Sequence, residues 1–361
     1  MRVLLISKAC VVGAYQRKLE EIATHPDLEL TVVVPPRWGA LVLERAYERG
    51  YTLHVEPVAF NGHFHLHFYP RLGAVLQRWR PEVVHIEEEP YDFVTWHALR
   101  LAQRCNARAL FFSWQNIPRR YPFPFSYFEQ YTLRQASAGI VGNQESLNIW
   151  RAKGFTKPLH LIPQFGVDPD IFTPPSTRPA RPFTVGYAGR LVPEKGVDVL
   201  LQAVAQLPQE VHVQIAGTGS EQGRLKKLTA QLGLSARVIF RATLPSTQMP
   251  TFLAGLDAFV LPSRTQSNWK EQFGRVLIEA MACGVPVIGS ECGEIPNVIG
   301  DAGLIFPEGD VAALSAHLQK LLGDTELRRT LSAAGRLRVL EHYTQKQVAE
   351  ETVEVYRSLV G

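Results

Sequence analysis

The chain has 361 residues and 46% hydrophobic content, which is long for one domain and enough for two cores of ordinary size. Lys and Arg are spread along it for a net charge of +4, which argues against a nucleic-acid stripe and leaves a basic anion pocket or a membrane-surface patch. Cys10, Cys105, Cys283 and Cys292 have neither metal-ligand spacing nor a disulfide framework, so a reducing compartment is the simplest inference. No run approaches the ~20 apolar residues of a membrane span.

Short Val/Ile/Leu runs alternate with longer helical patterns, which predicts an α/β fold with parallel sheets and helices on both faces. The apolar run in Met1–Lys8 is too short for a signal sequence and is interrupted by Lys8, so it reads as a first buried strand, 3–7. A loop with Gly13 follows, then a helix over about 16–23. Such a loop lies at a strand's C-terminal end, where open α/β sheets bind ligands; a plain tight turn is the alternative. No G-x-G-x-x-G is present, so a dinucleotide site is poorly supported. Leu30–Val34 reads as the second strand. His63, His65 and His67 alternate and would share one side of an extended segment. A polar strand face is preferred to a metal site there, for want of carboxylate or cysteine partners. The strand 83–86 runs into Glu87-Glu88-Glu89, and the strand 109–112 into Ser113-Trp114-Gln115-Asn116. Arg119–Phe128 mixes two arginines with aromatics. It reads equally as a ligand or membrane-surface face and as a helix-entry loop.

Asp168-Pro169-Asp170 is an Asp-x-Asp string, and Pro174, Pro175, Pro179 and Pro182 after it read as a linker. A strand over 183–187 leads into Gly189-Arg190 and Lys195-Gly196, ahead of a helix over about 197–205. Gly189 permits close backbone approach, Arg190 offers a planar fork of donors, and Lys195 a point charge near a helix N-terminus. Gly217 and Gly219 follow the strand 213–216, and Thr243 follows 238–240. The strand 258–261 leads to Glu271-Gln272-Phe273-Gly274 and a helix carrying Glu279, which stops at Gly284 and Pro286. Glu271 precedes that helix, and Glu279 is expected about two turns inside it. At a rise of ~1.5 Å per residue their backbones would lie roughly 12 Å apart.

The string 271–287, the Gly-Arg…Lys-Gly pattern and Gly293-Glu294-Ile295-Pro296 together resemble the retaining glycosyltransferases of family 4, GT-B class, with their E-x7-E motif. The resemblance is dense over 186–307 and mainly topological before Ile140. It implies two facing Rossmann-like domains with parallel sheets and a cleft between them. Residues 1–173 would be the acceptor-side domain, 174–182 the linker and 183–344 the nucleotide-sugar domain, with a last helix, about 345–361, packing back on the first. It further implies that Glu279 meets the donor ribose and Glu271 the transferred sugar. Gln272, Phe273 and Gly274 would hold phosphates, with Gly189, Gly217, Gly219 and Thr243 as further donor contacts. Arg190 and Lys195 would stabilise the departing diphosphate. Gly13 and Glu89 would touch donor or acceptor. Many relatives carry a histidine where Trp114, Gln115 and Asn116 stand; these can still bond to or stack on a sugar. Asp168 and Asp170 match the interdomain segment, and no metal or cofactor beyond the donor is expected.

The function this implies is retaining transfer from a UDP- or GDP-sugar to a hydroxyl of a saccharide, lipid-linked or small-molecule acceptor, in glycan or polysaccharide biosynthesis. The expected place is the cytoplasm or, peripherally, the inner membrane face, without nucleic acid. A nucleotide-sugar epimerase of the same architecture and a non-catalytic binding relative are the alternatives. The residues name neither base, sugar nor acceptor.

Overall fold

A computed structural model describes residues 1–177 and 181–361; Pro179 of the expected linker lies outside the described residues. Contacts divide the chain into two units, 1–166 with 345–361, and 167–344. The division falls before the expected boundary at 173. The 167–172 stretch is fastened within the second unit: Val167 N–H donates to the Tyr343 carbonyl at 2.8 Å, and Arg336 donates to the carbonyls of Pro169 and Phe172 at 3.3 and 2.9 Å. Asp168 Oδ1 accepts from the Asp170 amide at 3.0 Å, so the Asp-Pro-Asp string is a side-chain-closed turn.

The first unit holds β1 (Arg2–Ile6), α1 (Arg17–Ala23), β2 (Glu29–Val34), the two-stranded hairpin β3 (Arg37–Trp38) and β4 (Leu41–Val42), β5 (Thr52–Val55), α2 (Leu72–Trp79), β6 (Val83–Ile86), α3 (Phe93–Arg104), β7 (Arg108–Ser113), α4 (Phe125–Gln135), β8 (Ala138–Val141), α5 (Gln144–Ala152) and β9 (Leu159–Leu161). Its sheet runs β5-β2-β1-β6-β7-β8-β9, every pair parallel. Strand alternation builds two cores: Leu4 and Ile6 point to one, Val3 and Leu5 to the other. Val348, Ala349, Val353 and Tyr356 of the final helix complete the second core.

The second unit holds β10 (Thr184–Ala188), α6 (Val197–Ala205), β11 (His212–Ala216), α7 (Gln222–Gln231), β12 (Val238–Arg241), α8 (Met249–Ala254), β13 (Ala258–Leu261), α9 (Arg275–Ala282), β14 (Val287–Ser290), α10 (Ile295–Ile299), β15 (Leu304–Phe306), α11 (Val311–Gly323) and α12 (Thr325–His342); α13 (Gln345–Val360) returns to the first unit, where it packs on α1. Its sheet runs β12-β11-β10-β13-β14-β15. Strand order reverses on either side of β10, as it does beside β1. Ligands bind such sheets outside the strands' C-terminal ends at those switch points.

The histidine segment departs from expectation. Instead of an extended strand, residues 60–67 form successive turns, with His63 N–H and His67 N–H bonded to the carbonyls of Phe60 and His63. The histidines also have acidic partners the local sequence does not show. His65 Nδ1 lies 2.7 Å from Asp92 Oδ1 and His67 Nε2 lies 3.5 Å from Glu88 Oε1. Among the described residues no group of three or more His, Cys, Asp or Glu is placed to hold a metal.

Candidate active site

The second unit gathers its site from backbone packing at the β10 switch point. Ala188 and Ala216 are register partners, so Gly189 and Gly217 leave the sheet side by side. A Cβ on Gly217, at φ +148°, would sit 1.9 Å from the Gly189 carbonyl oxygen, and one on Gly219 would sit 2.2 Å from that of Leu191. Both glycines are therefore required by the fit of one loop against the other, a reason the sequence does not reveal. Gly189 N–H donates to the Ala216 carbonyl and Leu191 N–H to that of Thr218. Gly196, at φ +63°, presses on the Pro262 carbonyl in the same manner.

Between these loops and α9 lies a cavity of about 390 Å³, lined by Gly189, Arg190, Gly217, Thr243, Arg275 and Glu279, among others. Gly274, at φ +77°, starts α9, so the helical rise applies only to the second half of the Glu271-to-Glu279 spacing. Glu279 lies little more than one turn inside the helix rather than two. Its carboxyl is buried, which pushes its pKa up, while Arg275 beside it pulls it back down. Arg275 Nε donates to Glu279 Oε1 at 2.8 Å. Sequence reasoning missed Arg275, although its i,i+4 spacing to Glu279 was a usable signal.

Glu271 stands apart from that cavity's lining, in a second cluster. Its Oε2 accepts from Lys195 Nζ at 2.5 Å and from Ser263 Oγ at 2.9 Å. Both ions are mostly buried, with side-chain exposures of 13% for Lys195 and 10% for Glu271. Lys195 Nζ also lies 4.9 Å from the Trp269 ring centroid. The Glu271 carbonyl takes the Glu294 amide at 3.1 Å, and a Cβ on Gly293 would come within 2.1 Å of it. Glu271 is thus fixed at both backbone and carboxylate. Gln272 is exposed, while Phe273 is buried beside Tyr343. Arg190 is 64% exposed at its side chain and lies 3.6 Å from Glu194.

The first unit holds the other candidates. Ser113 Oγ donates to Glu89 Oε2 at 2.6 Å and Trp114 N–H to Glu89 Oε1 at 2.8 Å; burial pushes the Glu89 carboxyl up to about 7. Trp114 Nε1 donates to Gln164 Oε1 at 2.8 Å, and its ring packs on Gly142, where a Cβ would lie 2.1 Å away. Gln115 is buried; its Nε2 donates to the Ile117 carbonyl and its Oε1 accepts from Lys153. These polar groups are engaged within the protein, as is the Gly13 amide, bonded to Glu44 Oε2 at 2.7 Å. Asn116 is buried as well. Local sequence gave no sign of the buried Lys18–Glu87 and Lys8–Glu88 ion pairs beside them.

The two parallel-sheet α/β units share the GT-B fold of solved glycosyltransferase structures. Within the chain, residues 170–338 match the family Glycosyl transferases group 1, so this stretch is a domain of that family. The chain is similar to HepE of Anabaena in complex with UDP (TM-score 0.77, 20% identity, 99% of this chain and 100% of that one). It is also similar to sucrose-phosphate synthase from Thermosynechococcus elongatus (TM-score 0.75, 22% identity, 99% of each chain); at these identities the likeness shows the fold. Among curated relatives, the MMP α-(1→4)-mannosyltransferase of Mycolicibacterium hassiacum is 35% identical over 209 residues, 56% of this chain and 49% of that protein. The GDP-mannose-dependent monoacylated α-(1-6)-phosphatidylinositol monomannoside mannosyltransferase of Corynebacterium glutamicum is 31% identical over 250 residues, 64% of this chain and 61% of that protein. The matches thus span roughly half to three fifths of these relatives.

Proposed function

We propose that the chain is a retaining, metal-independent glycosyltransferase of the family-4 kind, moving a sugar from a nucleoside-diphosphate donor to a hydroxyl acceptor. The observation that carries this reading is the pairing of half-buried Lys195 with buried Glu271 in the same domain as the glycine-lined cavity ending at Glu279. Glu279 accepts hydrogen bonds from the donor ribose. The glycine loops and the Gln272–Gly274 segment admit the diphosphate. Lys195 and Arg190 oppose the negative charge that builds on it as the glycosidic C–O bond breaks. The acceptor oxygen forms its bond to the anomeric carbon on the same face, and its proton passes to the departing phosphate oxygen. Glu271, held by Lys195 and Ser263, orients the sugar hydroxyls or stabilises the positive charge at the anomeric carbon. Glu89 at the first sheet's C-terminal edge is the acceptor-side candidate. Names of relatives support a GDP-linked donor and a lipid-linked or saccharide acceptor in glycan or glycolipid synthesis.

Incubation with a panel of UDP- and GDP-sugars and candidate acceptors, with product anomers read by NMR, tests the reading. Transfer with retained configuration is expected. An inverted product would overturn the retaining mechanism, and conversion of donor without acceptor would overturn transfer in favour of an isomerase.

A further inference from the structure

Three stretches of the first unit that are distant in sequence meet on one surface. They are 37–42, 60–68 and 119–127, and each follows the C-terminal end of a strand in the first sheet. Gly39 N–H donates to Asn61 Oδ1 at 3.0 Å, and the Trp38 and Phe64 rings lie 5.5 Å apart. His65 joins the third stretch through Tyr121 at 6.3 Å and Phe125 at 5.5 Å.

This surface departs from the rest of the chain in two independent ways. The three stretches make up less than a tenth of the sequence. Yet among the described residues they carry seven of the fourteen exposed large hydrophobics, including Phe123 at 82%, Val42 at 69% and Phe64 at 60% exposure. Protruding aromatic and aliphatic side chains in such a cluster mark an interaction surface rather than scattered exposure. The second feature is charge. The three stretches contain no Asp or Glu, while Arg37, Arg119 and Arg120 are exposed within them and Arg71 lies just beyond the second. Of the nearby acids, exposed Glu44 lies two residues past the first stretch and takes the Gly13 amide. Glu88 and Asp92 are buried and paired inward with Lys8 and His65.

From this combination we propose that the three stretches form a docking surface for an anionic lipid bilayer, the side chains led by Phe64 and Phe123 entering the interfacial layer while the arginines meet anionic headgroups. No helix of the described residues is long and apolar enough to cross a membrane, so the contact is peripheral. Docking would bring the C-terminal edge of the first sheet, with Glu89, toward the lipid. A soluble partner protein or a saccharide stacked on the rings would use the aromatics but would not require anionic lipid.

Flotation of the protein with vesicles of phosphatidylcholine alone, or mixed with phosphatidylglycerol, tests this without relying on catalysis. Wild type is expected to bind the mixed vesicles at least about tenfold better than the neutral ones, and to lose most of that binding at high salt. Phe64→Ser with Phe123→Ser, and separately Arg119→Glu with Arg120→Glu, should each weaken binding about tenfold with an unchanged melting temperature. Phe123→Ser alone, at the most exposed site, serves if a double variant does not fold. Absence of binding to mixed vesicles overturns the proposal. So does binding undiminished by the phenylalanine changes, or wild-type binding that is indifferent to anionic lipid.

Discussion

After β10 and β11 the chain packs backbone on backbone, with Gly217 and Gly219 set against the Gly189 and Leu191 carbonyls. After β1 and β6, in the first unit, it packs charge on charge. There Lys18 meets Glu87 and Lys8 meets Glu88 with little water, and burial lowers Lys8 to about 8. The two sheets share a topology and place their ligand-side edges by different means. Glycine packing lets the two loops meet at their backbones, with the Gly189, Leu191 and Gly217 amides bonded to neighbouring carbonyls, and a cavity stays open beside them. Ion-pair packing fills the edge with side chains that already satisfy one another. The second unit's edge therefore keeps a cavity beside its glycine loops, while the first unit's edge is filled by paired side chains.

The sharpest break between them is expected at Lys195 and Glu271. Lys195→Ala or Glu271→Ala should lower transfer by about 10³-fold or more while the fold persists, measured as kcat/KM beside a melting curve. Comparable losses from Glu89→Gln would erase the distinction. In the first unit the dominant effect is on stability instead. Lys18→Ala leaves Glu87 buried and unpaired, and should cost about 3–5 kcal/mol in denaturant unfolding. A loss below about 1 kcal/mol would show that water reaches the pair. Gly217→Ala forces the 189–191 backbone to move, and should cost about 1–3 kcal/mol together with donor affinity. Unchanged donor binding would separate that packing from the site.

Glu89 offers a smaller, pH-dependent test. Its folded value of about 7 lies above its ordinary value of 4.5. The folded state therefore holds more protons between those two values, and this group's contribution to stability falls as pH rises through that window. Glu89→Gln removes the slope. Relative to wild type, the variant should gain about 1–3 kcal/mol between pH 5 and pH 8, read from unfolding at both. No gain would place the carboxyl in water. Excess chelator is the smallest expected effect, with no change in transfer rate; complete loss would return Asp168 and Asp170 to consideration as metal ligands.

Legibility in the sequence follows the same divide. The alternation of apolar runs with helical patterns was enough for the α/β class. The helix 197–205 and the strand 258–261 fall where the pattern put them, because Gly and Pro stops flank them. Gly189, Arg190, Thr243 and Glu279 come together around one cavity because a short loop and one helix face hold them. What sequence could not show is tertiary. Lys18 is 69 residues from Glu87, and the partners of His65 and His67 lie on a different strand-end loop. The histidines' alternation suggested an extended segment, but hydrogen bonds to local carbonyls turned it instead. The partners of Trp114 and Gln115, namely Gly142, Gln164 and Lys153, are likewise distant in sequence.

The central claim is that the second unit binds a nucleoside diphosphate with its ribose at Glu279. Calorimetric titration of UDP and GDP into wild type and Glu279→Ala tests it most directly. One of the two nucleotides should bind wild type and lose about 10- to 100-fold in affinity to the variant, the cost of one hydrogen-bonded charged group. Binding of neither nucleotide to wild type, or equal affinity in both proteins, would contradict it.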